Sequence, residues 1–83
     1  MVKGSAEDVR SPLAVKVGKN LKRLRELADL TQADLHVLTS VGLSHISRIE
    51  RGVGNPTLDM MEALAIGLKC EIRDLLQDPP AEA

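Results

Sequence analysis

The sequence predicts an all-α fold, a compact bundle of five short helices. Three observations carry that prediction. Apolar residues recur at helical spacing between the turn signals. Residues suited to cap a helix, Ser11, Thr31, Thr57 and Glu71, stand ahead of four of these segments. No strand-like alternation survives anywhere in the 83 residues.

The elements follow in order. Residues 1–10 are polar without a sustained period and are expected to form a flexible arm. Ser11-Pro12 is a helix start, with serine as cap and proline at the first helical position. Helix 1 then runs to about Leu27, with Leu13, Val17, Leu21, Leu24 and Ala28 as one apolar stripe. Lys16, Lys19 and Arg23 form a second stripe on another face. Asp29-Leu30 connects to helix 2, and Leu30 is expected to tuck under the core. Thr31 with Asp34 three residues on is close to a capping box, and Leu35 and Leu38 give helix 2 its apolar face. Gly42 marks a break. Ile46 and Ile49 follow on helix 3, and Gly52 stands where a left-handed residue would end it.

The remainder is read the same way. Val53 to Pro56 is loop by composition, ahead of a cap at Thr57. Helix 4 should run from Leu58 to about Leu68, burying Leu58, Met61, Leu64, Ala65 and Leu68. Lys69 takes the helix-ending turn and Cys70 fills space beneath it as a small hydrophobe. Glu71 caps a last helix, Ile72 to Gln77. Asp78-Pro79-Pro80 closes the ordered domain at residues 11–78, leaving 79–83 as a disordered tail.

Composition narrows the function. Phe, Tyr and Trp are absent, which removes any base-stacking platform and argues against single-strand or RNA-type binding. One cysteine excludes an internal disulfide and a multi-cysteine zinc site. Neither a metal nor a cofactor is expected. No stretch is long and apolar enough to span a membrane, and the charged start does not read as a signal peptide, so a cytoplasmic location is the default expectation. No carboxylate pair, nucleophile–base set or phosphate loop suggests an enzyme.

The net charge of −1 conceals a division along the chain. Residues 16–51 carry seven basic against four acidic side chains, a net +3. Residues 52–83 carry two against six, a net −4. The basic part takes in the helix 2–helix 3 pair, and a short helix with its polar side chains on one face suits a DNA major groove.

Thr31-Gln32, Leu35, the run Ile46-Ser47-Arg48-Ile49-Glu50-Arg51-Gly52, Asn55-Pro56 and the helix 4 pattern are similar to the Cro/C1-type helix-turn-helix family, also called the xenobiotic-response-element type. The similarity spans roughly residues 13–77. It implies the lambda-repressor-like bundle, with helix 2 across the phosphate backbone and helix 3 in the major groove. Leu43, Ser44, His45, Ser47 and Arg48 then fall at groove-facing positions. Arg48 is the best placed for specificity, since its planar fork can bond guanine O6 and N7 together. Leu43 departs from the usual polar residue and suits a thymine methyl. Gln32, Arg51 and Asn55, with Lys19 of the helix 1 stripe, match phosphate contacts. Arg25 and Glu50 match a salt bridge that ties helix 1 to helix 3 and makes Glu50 structural.

The chain departs from the family in helix 2. His36 stands where alanine is usual, and Ser40 where the turn glycine is expected, with glycine displaced to Gly42. Either the two helices meet at an altered angle, or helix 2 is shifted by a residue or two. His36 is read as packed or hydrogen-bonded rather than as a ligand.

These readings converge on a transcriptional regulator acting as a homodimer on a pseudo-palindromic double-stranded operator, of controller or phage-repressor type. One short recognition helix reads too few base pairs, and a two-fold dimer doubles the site. Met60, Ile72, Leu75 and Leu76 in the acidic C-terminal third are the expected interface, and no small-molecule ligand is implied. Antitoxin-type regulation is the alternative in the same class. A protein-interaction module that does not touch DNA is the alternative in another.

Overall fold

The structure, a computed structural model, describes residues 11–81. The expected arm at 1–10 lies outside the described residues, as do positions 82 and 83 of the tail. The helices are α1 (Pro12–Leu27), α2 (Gln32–Thr39), α3 (Leu43–Glu50), α4 (Leu58–Leu68) and α5 (Ile72–Leu76). Among the described residues there is no strand.

Local chemistry sets nearly every boundary. The Ser11 hydroxyl accepts from the Ala14 amide at 3.0 Å, ahead of Pro12. Thr31 and Asp34 satisfy each other's backbone amides in a full capping box, at 3.0 and 2.9 Å. Thr57 caps α4 through the Met60 amide, and Glu71 with Asp74 repeats the box at α5. Left-handed residues follow the first four helices: Asp29 (φ 63°), Ser40 (φ 62°), Gly52 (φ 80°) and Lys69 (φ 58°). Helix α3 starts from Gly42, which has no side chain to cap it.

The five-helix core is aliphatic. Leu21, Leu35, Ile46, Leu64 and Leu75 are completely buried, with Val17, Val41, Ile49, Met61 and Ala65 around them. Each of the large ones contributes about 1.5–3 kcal/mol relative to exposure. Helix α1 packs on α3 and α5, while α2 packs on α3 and α4. Gly18 permits the first of these contacts. A Cβ there would lie 2.3 Å from the Ile49 carbonyl oxygen, so any larger residue would push α1 off α3.

Several expectations need correction. Leu13 is 52% exposed and Leu58 87%, because each sits in the first turn of its helix, beyond the reach of the core. Ala28 is an exposed cap rather than part of the stripe. The basic stripe of α1 is not free: Lys16 Nζ pairs with Asp78 at 2.8 Å and Arg23 Nη2 donates to Asn20 Oδ1 at 2.9 Å. Leu75, expected at a dimer interface, is completely buried within the single chain and belongs to its core.

The α2–α3 turn settles the ambiguity raised by His36 and Ser40. Helix 2 is not shifted. It ends at Thr39, and Ser40 itself adopts the left-handed conformation that glycine would normally supply. The His36 Nδ1–H donates to the Val41 carbonyl at 2.8 Å, stapling the turn from the α2 side. Thr39 braces it from within, donating to the Leu35 carbonyl at 2.7 Å and accepting from the Val41 amide at 3.1 Å.

Candidate nucleic-acid interface

Helix α3 is two-sided. Ile46 and Ile49 are buried and anchor it to the core, which turns Ser44, Ser47, Arg48 and Arg51 to the opposite side. Ser44 and Arg48 are exposed, and Ser47 is half-buried, its hydroxyl accepting from Arg51 Nη1 at 2.9 Å. That bond steers Arg51 along the same face. Leu43 and His45 are exposed on the two flanks. The His45 ring lies beside Gly42, in a shallow cleft shared with Asp59 and Met60.

A buried ion pair fixes the angle at which α3 is presented. Arg25 Nε and Nη2 donate to the two oxygens of Glu50 at 2.7 and 2.9 Å, a bidentate pair with both side chains largely removed from solvent. The remaining Arg25 donor, Nη1, reaches the Leu30 carbonyl at 2.8 Å. The Arg25 guanidinium is held above its ordinary pKa chiefly by its hydrogen bond to Glu50, against the opposing effect of burial. Glu50 is thus neutralised in place, which reconciles an acidic residue with a helix whose outer face is basic. Gln32 joins the same cluster, its Nε2 donating to Glu50 Oε1 at 3.0 Å. The family resemblance assigns Gln32 to a phosphate alone and gives no sign of this bond.

Of the remaining expected contacts, Lys19 is exposed on α1 and Asn55 is exposed in the loop after α3. The loop is shaped by α3 itself, since the Arg48 carbonyl accepts from both the Val53 and Gly54 amides at 3.1 Å. Another feature adjoins this loop. A groove of about 1110 Å³ runs between the start of α1, the loop, the start of α4, and α5, with Leu13, Leu58, Met61, Ile72 and Leu76 on its walls. Ile72 and Leu76 are expected on such a face, whereas helical spacing alone assigns Leu13 and Leu58 to the core. Met60 is half-buried against the core and lies outside this groove, in the cleft beside His45.

The architecture is that of a helix-turn-helix, and the family model of the HTH_3 helix-turn-helix group matches residues 21–75. The chain belongs to this family. As an HTH_3 chain it is a DNA-binding transcriptional regulator. No curated protein sequence matches it significantly. Among solved structures it is similar to the restriction-modification controller protein C.AhdI from Aeromonas hydrophila, with 35% identity, a TM-score of 0.72, and coverage of 75% of this chain and 94% of that one. It is similar also to the controller protein C.Esp1396I, solved as a tetramer in complex with its natural 35 base-pair operator (29% identity, TM-score 0.69, 81% of this chain and 99% of that one). The biofilm master regulator SinR in complex with DNA is a third relative (26% identity, TM-score 0.70, 74% and 98%). No described helix of this HTH_3 protein is long and apolar enough to cross a membrane.

Proposed function

We propose that this chain acts as a homodimer on a pseudo-palindromic operator, in the manner of a restriction-modification controller or a phage-type repressor. The observation that carries the reading is the outward face of α3, where Ser44, Ser47, Arg48 and Arg51 share one side of a helix locked by the Arg25–Glu50 pair. Arg48 reads a guanine edge, and Ser44 and His45 contact bases or phosphates beside it. Leu43 meets a thymine methyl. Arg51, Asn55, Lys19 and the amino-terminal turn of α2 at Gln32 hold the backbone. The controller assignment leans on the similarity to C.AhdI and C.Esp1396I, of which this chain spans 94% and 99%.

The dimer forms through the groove beside α5. Leu13, Leu58 and Leu76 are large aliphatic residues left exposed around one concavity, and a second copy related by a two-fold axis would cover them together with Ile72. Leu75 supports that face from inside, while Met60 lies outside it in the cleft beside His45.

Selection of bound duplexes from a random pool, followed by titration at several salt concentrations, tests the reading. The expected result is a two-fold symmetric site whose affinity falls as salt rises. Arg48→Ala should lose about 1–3 kcal/mol on that site and relax the preference at one position. Equal weakening on all sequences would make Arg48 a phosphate contact instead. Leu76→Glu should yield monomers in sedimentation and abolish operator binding. A monodisperse dimer would move the interface elsewhere.

A further inference from the structure

Helix α1 contains one polar side chain whose partners lie at the far end of the fold. Asn20 is completely buried. Its Nδ2 donates to the Leu75 carbonyl at 2.9 Å and to the Gln77 carbonyl at 2.7 Å. These carbonyls belong to the closing turn of α5, where a five-residue helix leaves its acceptors without internal donors. Asn20 Oδ1 in turn accepts from Arg23 Nη2, and one turn earlier Lys16 pairs with Asp78. The same helix is fastened to α3 by Gly18 against the Ile49 carbonyl and by the Arg25–Glu50 pair. Helix α1 is therefore joined to the reading helix along one side and to the pairing helix along another.

We propose that Asn20 is a positioning residue: it fixes α5 relative to α3 and thereby sets the separation of half-sites that the dimer reads. The proposal rests on the dimeric reading given above. A base-pair step is about 3.4 Å along the duplex. The two-fold axis counts any displacement of α5 twice, so a slip of roughly half a step in each protomer changes the register by one base pair. An apolar replacement at position 20 would leave the buried Leu75 carbonyl and the part-buried Gln77 carbonyl without their donor, and free α5 to move until they found water.

The test uses the full chain and duplexes carrying two selected half-sites whose spacer varies one base pair at a time, beside a duplex with a single half-site. The wild type should prefer one spacer. Asn20→Ala, assayed where circular dichroism shows it folded, should flatten that preference about tenfold while single half-site affinity stays within about twofold. Arg23→Met serves where Asn20→Ala does not fold. It keeps both carbonyl bonds, removes only the brace on Oδ1, and disposes of an Arg23 Nε that is buried without a partner among the described residues. It should broaden the preference to a lesser degree. Retention of the wild-type optimum at full sharpness by the folded variants would overturn the proposal. So would equal loss on single and spaced sites, which would mark Asn20 as a residue of stability alone. A wild type with no spacer preference would instead remove the dimeric reading, and the positioning role with it.

Discussion

Two glycines let helices meet closely in this fold, and they do so against different surfaces. At the α1–α3 seam, a Cβ on Gly18 would lie 2.3 Å from the backbone carbonyl of Ile49. At the α2–α4 seam, a Cβ on Gly67 would lie 2.4 Å from the Thr39 side-chain methyl. Backbone has no rotamer to change, so the Gly18 contact is incompressible. A side-chain methyl should yield more easily, yet Thr39 spends its hydroxyl on the Leu35 carbonyl and the Val41 amide, and rotating it would break both bonds. The α1–α3 seam presents the reading helix, and the α2–α4 seam holds the turn that leads into it. Rigidity comes from backbone in one and from a hydrogen-bonded side chain in the other.

The sharpest way to break the α1–α3 seam is through its charge. Arg25→Met should destabilise the chain by about 3–5 kcal/mol in denaturant titration, because Glu50 is left buried without its counter-ion. The double variant Arg25→Met/Glu50→Leu should recover much of that loss. Failure to recover would show that the pair is needed for geometry and not only for charge balance. Gly18→Ala should follow, at about 2–3 kcal/mol, since α1 must move off α3. Gly67→Ala should cost about 1–2 kcal/mol, and Thr39→Ser, which removes the obstructing methyl and keeps the hydroxyl, should restore part of it. Equal, unrelieved losses at both glycines would erase the distinction between the seams.

Smaller effects sharpen the picture at α2. Ser40→Gly should stabilise by about 0.5–1 kcal/mol in thermal unfolding, because serine holds φ 62° at a steric cost that glycine escapes. A loss would mean that the Ser40 side chain contributes more than the strain it bears. The last effect is in pH. The Asp34 carboxyl lies below its ordinary 3.8, chiefly through the hydrogen bond from the Thr31 amide. A depressed carboxylate stabilises the fold above its unfolded pKa, and the contribution disappears as pH falls through the folded value. Asp34→Asn should therefore lower the melting temperature near neutrality and weaken its decline below about pH 4. Parallel acid profiles for the two proteins would remove the box from the account.

These contrasts separate what is written locally in the chain from what is not. Caps are local, so Ser11, Thr31, Thr57, Glu71 and the stops at Gly52 and Lys69 are legible within a few residues of chain. Burial is decided by distant partners. Leu13 and Leu58 fit their helical stripes, yet they project past the ends of the core and line the groove instead. Leu75 reads as an interface residue because nothing nearby in the chain shows that α1 covers it. The role of Asn20 is hidden for the same reason, although its place between Val17 and Leu21 on the buried arc is the available signal. At the interface, α3 from Ile46 onward is legible because two isoleucines fix which side faces out. Gln32 is only half legible, since its bond to Glu50 joins elements eighteen residues apart.

The bond from Asn20 to Leu75 spans fifty-five residues, and that distance has a consequence for how the chain is made. Helix α1 precedes α5 in synthesis, so the acceptors for its buried amide become available more than fifty residues later. Until they arrive, Asn20 must keep a hydrogen bond to water, and the face of α1 that carries it stays open. Local helices can form early, while closure of this face waits for a contact of long sequence separation. A product that stops short of Leu75 would keep that wet face and expose Val17 and Leu21 beside it, the kind of apolar surface that chaperones and proteases recognise. One carboxamide thereby couples the emergence of α5 to closure of the buried face of α1.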